Sequence, residues 1–247
     1  MLMPEARKGA TIVTGGSGGI GAAVARLLAA RGHRVVVHGN SNPAAAQAVV
    51  DDIVGAGGEA MAVSADVTDA AQVEAMVGAV VERFGSVDAL VNNAGVCKAM
   101  AVGEMSAAAV NRELSVNVAS VVLMTQACLP HMGEGAAIVN LGSNLAVAPL
   151  PGLTLYCATK AAVASLTQGF ARELGGRKIR VNAVAPGATR TAMTAWIDDD
   201  TMDGIAGQTP LSRVAEPEDI AGAVAMLLSG DAGWVTGRTL VVDGGLV

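Results

Sequence analysis

Tyr156 is the single tyrosine in a chain of 247 residues, and Lys160 follows it by four positions. On a helix that spacing puts both side chains on one face. A free phenol has a pKa near 10 and is a poor base at neutral pH. An ammonium beside it stabilises the phenolate, by about 1.4 kcal/mol for each unit of lowering. Ser143 stands thirteen residues before Tyr156, just past an apolar strand-like run. Its hydroxyl can donate to an oxygen on which negative charge develops. A phenol, an ammonium and a hydroxyl so placed suit proton exchange with a carbonyl or alcohol oxygen whose carbon takes or gives hydride.

A second cluster sits near the start. The run Thr14-Gly15-Gly16-Ser17-Gly18-Gly19-Ile20-Gly21 follows a β-branched stretch and opens a helical pattern. Glycines there allow a tight turn and close approach to a pyrophosphate, which then meets the unpaired N–H groups of a helix N-terminus. Gly21 allows helix and strand to pack closely. A glycine cluster alone can be only a turn, but this position, after the first strand and before the first helix, is the context of dinucleotide binding. At the end of the second strand the chain reads Val37-His38-Gly39-Asn40-Ser41-Asn42. An acidic residue there would bond the adenosine ribose hydroxyls of NAD and repel a 2′-phosphate, and none is present. Asn40 and Ser41 can donate to that phosphate, which favours NADP(H) over NAD(H), although no arginine follows the strand. His38 reads as a strand residue rather than a phosphate ligand.

The elements that must position these groups are legible as short apolar runs alternating with alanine-rich amphipathic segments, the pattern of βα units around a parallel sheet. Seven strands are expected: 10–14, 34–38, 60–64, 89–92, 137–141, 180–185 and 239–242. Helices are expected over 20–31, 43–56, 70–84, 107–132, 154–174 and 216–228. The fold class is therefore α/β, a single-domain, Rossmann-type, doubly wound parallel sheet with helices on both faces, spanning 1–247. The stretch 187–213, with the acidic run Asp198-Asp199-Asp200, reads as a long irregular loop and a candidate substrate lid.

Composition narrows the function classes. A net charge of −6 and an isoelectric point near 5.0 oppose a nucleic-acid or anionic-lipid footprint. Mean hydropathy is +0.48, yet no stretch reaches the roughly 18 uninterrupted apolar residues of a spanning helix, so no membrane partner is expected. The segment before the first strand has no export-signal pattern. Cys97, Cys128 and Cys157 are widely spaced and odd in number, which fits free thiols in a reducing cytoplasm. His33, His38 and His131 form no ligand pair, and no metal is expected.

Taken in order, Thr14-Gly15-x-x-x-Gly19-x-Gly21, Asp66-Val67, Asn92-Asn93-Ala94-Gly95, Asn117, Ser143, Tyr156-x-x-x-Lys160, Pro186-Gly187 and Asp243-Gly244-Gly245 cover nearly the whole chain. In this the sequence resembles the short-chain dehydrogenase/reductases, most of all the 3-oxoacyl-(acyl-carrier-protein) reductase branch. The resemblance implies a catalytic tetrad of Asn117, Ser143, Tyr156 and Lys160. In it, Asn117 binds a water that links Lys160 to solvent, and Lys160 also holds the nicotinamide ribose. It implies that Asp66 and Val67 flank the adenine and that Asn93, Ala94 and Gly95 wall the adenosine side, with Asn92 structural. Pro186, Gly187, Thr189 and Thr191 are implied beside the nicotinamide. It further implies a homotetramer, with the helices around Asn117 and Tyr156 forming one contact and the C-terminal region the other.

The substrate is less legible. Leu145, Pro149, Leu153, Cys97, Met100, Met193 and Trp196 can line an apolar cleft or serve as ordinary packing. A carrier-protein partner would need basic residues beside the cleft. Arg177 stands at one position where the family places such a residue, and Glu134 occupies the other. The readings left open are a reductase of ketones or 3-oxoacyl thioesters, an NAD-dependent alcohol dehydrogenase on a free small molecule, and a non-catalytic nucleotide-binding sensor or scaffold.

Overall fold

The computed structural model describes residues 9–247, so the reading of the N-terminal segment falls on 1–8, outside the described residues. The strands are β1 (Ala10–Val13), β2 (Arg34–Gly39), β3 (Glu59–Ser64), β4 (Val87–Asn92), β5 (Ala137–Leu141), β6 (Arg180–Pro186) and β7 (Thr239–Val242). They form one sheet in the order β3-β2-β1-β4-β5-β6-β7. Every neighbouring pair is parallel. Successive crossovers reverse direction between β1 and β4, and the carboxyl ends of those strands flank the crevice where such sheets bind ligands.

The helices are α1 (Gly19–Ala30), α2 (Pro43–Gly55), α3 (Ala70–Phe84), α4 (Ala107–Leu114), α5 (Ser120–Cys128), α6 (Thr154–Leu174), α7 (Asp199–Gln208) and α8 (Pro217–Leu228). Period-2 alternation assigns the strand side chains to two layers. Val13, Val35, Val37, Val91 and Val139 pack on the face covered by α1, α2 and α8. Ile12, Val36, Leu90 and Ile138 pack on the opposite face, under α3, α5 and α6. Both faces are buried, which is why the strands read as continuous apolar runs.

Two expectations are corrected. The helix expected over 107–132 is interrupted: a π turn at Ser115–Ala119 separates α4 from α5, and a 3-10 turn follows at Leu129–His131. The stretch 187–213 is not wholly irregular, because it contains α7. Asp198 caps that helix, its carboxylate accepting the Thr201 N–H at 2.7 Å, and Asp199 and Asp200 lie in the first turn, where the helix dipole favours them. The helical run Ala107–His131 has the length of a spanning helix at mean hydropathy 1.2, but it also carries the buried polar residues Glu113, Asn117, Ser120 and Thr125.

Candidate active site

The glycine run leaves β1 as a turn held from three sides. Gly15 has φ +63°, a left-handed conformation that favours glycine. The Asn93 side-chain amide donates to the carbonyls of Thr14 at 2.9 Å and Gly15 at 3.0 Å. The Thr14 hydroxyl accepts the N–H groups of Asn93 and Ala94. A Cβ on Gly21 would stand 2.2 Å from the Gly15 oxygen, so helix and loop approach as closely as the sequence predicts. Gly18, the N-cap of α1, offers no side-chain cap, and among the described residues nothing lies within 4 Å of where its Cβ would be. The first N–H groups of α1 therefore meet no capping side chain on an open side, and this cradle fits a dinucleotide pyrophosphate.

Asn40 and Ser41 are exposed at the end of β2, beside this cradle. The Asp66 carboxylate is held well below its usual range, first by the Thr68 hydroxyl and N–H, then by Arg112 and the Asn40 side chain. Arg112 Nη1 lies 3.9 Å from Asp66 Oδ2. Val67 is buried beside it. Three separate segments thus meet at this end of the cleft, and Arg112, which sequence reading passed over, arrives from α4.

At the other end, a cavity of about 110 Å³ is lined by Ile20, Asn93, Gly95, Ser143, Tyr156, Lys160, Pro186, Gly187, Thr189, Thr191 and Met193, among others. These residues come from the first turn of α1, from the ends of β4, β5 and β6 with the segments that follow them, and from one face of α6. The expected Tyr156–Lys160 pair is therefore present, with the Lys160 ammonium 5.7 Å from the phenol ring centroid. Lys160 is buried and donates to the Leu141 carbonyl at 2.7 Å. Burial lowers its pKa to about 8, so it is mostly charged at neutral pH. The expected lowering of Tyr156 is corrected: desolvation pushes the phenol above its ordinary value, and the Ser143 hydroxyl beside it only partly opposes that. The phenol is protonated across the neutral range, as a proton donor must be. Ser143 also caps the following turn, its Oγ accepting the Leu145 N–H at 3.2 Å.

Asn117 sits in the π turn, an irregularity often found at functional sites. Its amide donates to the Val96 carbonyl at 2.9 Å and the Thr159 hydroxyl at 3.1 Å, while Oδ1 accepts the Val96 N–H at 2.8 Å. The side chain clamps the loop after β4. Gly95 lies between Asn117 and Lys160, its Cβ position being 3.3 Å from Asn117 Oδ1 and 3.7 Å from Lys160 Nζ. Asn92 is structural, bonding Asn140, which in turn bonds Thr167. Thr189 bonds the Gly187 carbonyl, and the Thr191 methyl packs 3.2 Å from the Cβ position of Gly19, joining the two walls of the cleft.

Glu113 is a further surprise. It is 2% exposed, neither carboxylate oxygen has a partner at hydrogen-bonding geometry among the described residues, and burial raises its pKa against a smaller opposing effect of the Lys98 backbone N–H. It lies close enough to act on Tyr156 and on Cys97, whose thiol burial pushes up to about 11. Of the expected cleft residues, Met193 lines the cavity, Met100 is buried and Trp196 is exposed. Arg177 is committed to the Leu129 and Met132 carbonyls, at 2.9 and 2.8 Å, and Glu134 pairs with Lys178.

Residues 15–247 match the family described as Enoyl-(Acyl carrier protein) reductase. An oxidoreductase of Methylorubrum extorquens is 46% identical over 238 residues, which is 95% of this chain and 96% of the relative. The 3-oxoacyl-(acyl-carrier-protein) reductase of Staphylococcus aureus is 40% identical over 237 residues, 95% and 96% of the two chains. Among solved structures, a dehydrogenase/reductase from Sinorhizobium meliloti superposes with TM-score 0.94 at 41% identity, covering 99% of this chain and 96% of that one. A short-chain dehydrogenase from Burkholderia cenocepacia in complex with NADP superposes with TM-score 0.92 at 39% identity, covering 98% of each. The chain belongs to the short-chain dehydrogenase/reductase family and is an oxidoreductase close to its 3-oxoacyl-(acyl-carrier-protein) reductase branch.

Proposed function

We propose that this enzyme is an NADP(H)-dependent reductase of ketones, working reversibly on the corresponding secondary alcohols. The observation that carries the reading is the convergence of Ser143, Tyr156 and Lys160 on one cavity continuous with residues of the glycine cradle and the loop after β6. When bound, a nicotinamide cofactor supplies the hydride. The cradle Gly15, Ser17, Gly18, Gly19, Ile20 and Gly21 holds its pyrophosphate, and Asp66, Val67, Ala94 and Gly95 border its adenosine. Pro186, Gly187, Thr189 and Thr191 border its nicotinamide.

In reduction, Ser143 donates to the substrate carbonyl oxygen and Tyr156 Oη delivers the proton. Lys160, charged and fixed to Leu141, stabilises the phenolate left behind. Asn117 holds the Val96 loop, and the family resemblance adds a proton-relay water at this residue. Asn40 and Ser41, with no carboxylate at the β2 end, support NADP(H), as does the NADP bound by the Burkholderia neighbour.

Arg177 and Glu134 are tied to neighbouring groups, which favours a free ketone or an acyl thioester presented without carrier protein. The exposed apolar residues Trp234, Leu240, Val241 and Val247 at the C-terminal end support assembly as a homotetramer, testable by light scattering. Three free thiols fit a cytoplasmic setting.

The test is a ketone and alcohol panel run with both cofactors, including a 3-oxoacyl thioester with and without carrier protein, alongside NADPH and NADH affinities. Turnover of a ketone with tighter NADPH binding is expected. Tight NADPH binding with no turnover across the panel would favour a sensor or scaffold, and tighter NADH binding would contradict the assignment to Asn40 and Ser41.

A further inference from the structure

His38, at the end of β2, is 2% exposed, and its ring joins two loops that the nucleotide must touch. The Gly15 N–H donates to His38 Nδ1 at 3.1 Å, and His38 Nε2 lies 2.9 Å from the Ala65 carbonyl. Because Gly15 is the donor, Nδ1 must be the bare nitrogen and Nε2 must carry the hydrogen that goes to Ala65. The His38 main-chain carbonyl also accepts the Gly16 N–H at 2.8 Å. One residue therefore grips two consecutive glycines of the pyrophosphate turn and the residue just before Asp66 and Val67.

We infer that His38 is a positioning residue for the nucleotide, its neutral ring acting as a strut that holds the glycine turn and the adenine loop at a fixed separation. The inference rests on the cofactor-binding reading above. A ring protonated at Nδ1 would face the Gly15 N–H with a second donor, so the strut works only while the ring is neutral. Burial favours that form by lowering the His38 pKa; the Ala65 bond and the charge of Asp66 oppose it. The glycine turn and β1 carry no ionisable side chain, and Glu59 lies at the far end of β3, paired with Arg34 and Arg83. Asp66 is thus the charged group that acts on the ring, with Arg112 beyond it. The Gly15 bond is intact above the ordinary histidine pKa of about 6.5 and is lost as pH falls through the lowered folded value.

The test measures NADPH dissociation constants for the full-length enzyme and three variants from about pH 5 to about pH 8. Asn at 38 can present an oxygen where Nδ1 stands, without titrating, so His38→Asn should bind within about twofold of wild type at the upper end and lose less affinity in acid. His38→Gln, which reaches only toward Ala65, and His38→Ala should bind about threefold to tenfold more weakly at neutral pH. The ratio of variant to wild-type affinity at each pH cancels the titration of the ligand's own phosphate. Should His38→Gln and His38→Ala match wild type at neutral pH, or should His38→Asn bind there as weakly as they are expected to, the strut is wrong. A wild-type protein that binds neither NADPH nor NADH contradicts the cofactor reading itself, and the strut with it.

Discussion

The half of the cleft proposed for the nucleotide and the half proposed for the substrate are built differently. Around the glycine cradle the framing side chains are committed: Thr14, Asn93 and His38 each make two or more hydrogen bonds to neighbouring segments, and Asp66 accepts two from Thr68 within its own loop. In the segments that follow β4, β5 and β6 the chain instead leaves apolar side chains in water, with Val102 86%, Val147 74% and Trp196 57% exposed. A fixed polar frame holds an invariant ligand by pre-organisation, whereas loose apolar loops can adapt to what enters. The frame proposed for the nucleotide is tied by hydrogen bonds, and the segments proposed to meet substrate expose apolar surface.

Removing the charge that serves the phenol should have the largest effect. Lys160→Met should lower turnover by about 10²–10⁴-fold, measured as NADPH oxidation at saturating ketone. A variant within tenfold of wild type would move the phenolate's support elsewhere. Next comes the cradle. Gly21→Ala places a Cβ 2.2 Å from the Gly15 oxygen and 2.6 Å from Asn93 Nδ2, so it should destabilise the fold by about 1–3 kcal/mol in denaturant and weaken NADPH binding. An unchanged midpoint would mean the cradle is softer than the contrast requires.

Glu113 sharpens the comparison from the substrate side. Its folded pKa is raised by burial, so the folded state holds a proton that the unfolded chain releases above the ordinary carboxyl range. The contribution of Glu113 to wild-type stability should therefore fall as pH rises from that range through the raised folded value. Glu113→Gln removes this slope, and its melting temperature should gain on wild type as pH increases. A constant difference between the two would show Glu113 paired rather than stranded. The smallest effect is expected at the rim: Trp196→Ala should shift KM for bulky ketones by a few-fold, about 1 kcal/mol or less, with the melting temperature unchanged.

Sequence reading fared along the same divide. All seven strands lie within about two residues of expectation, because a doubly covered parallel sheet leaves continuous β-branched runs. Tyr156, Lys160 and Ser143 were legible because helical spacing and a strand end place them directly. The π turn at Ser115–Ala119 was not, since one inserted residue in an apolar run carries no glycine, proline or change of composition. Helix α7 was missed because its acidic start and the glycines Gly204 and Gly207 hide any apolar period, although Asp198 followed by two more aspartates was a usable N-terminal signal. His38 and Arg112 owe their placement to contacts with segments far away in sequence, His38 to Gly15 and Ala65 and Arg112 to Asp66, which no local pattern encodes. The lowering expected for Tyr156 counted the ammonium and overlooked the desolvation.

The central claim is that the only phenol in the chain carries the proton. Tyr156→Phe should be compared with wild type in one preparation, measuring NADPH affinity and NADPH oxidation with a ketone that wild type reduces. Affinity within about twofold and turnover down by about 10²–10⁴-fold is the predicted result. A folded variant that binds NADPH normally and keeps wild-type turnover would contradict the account.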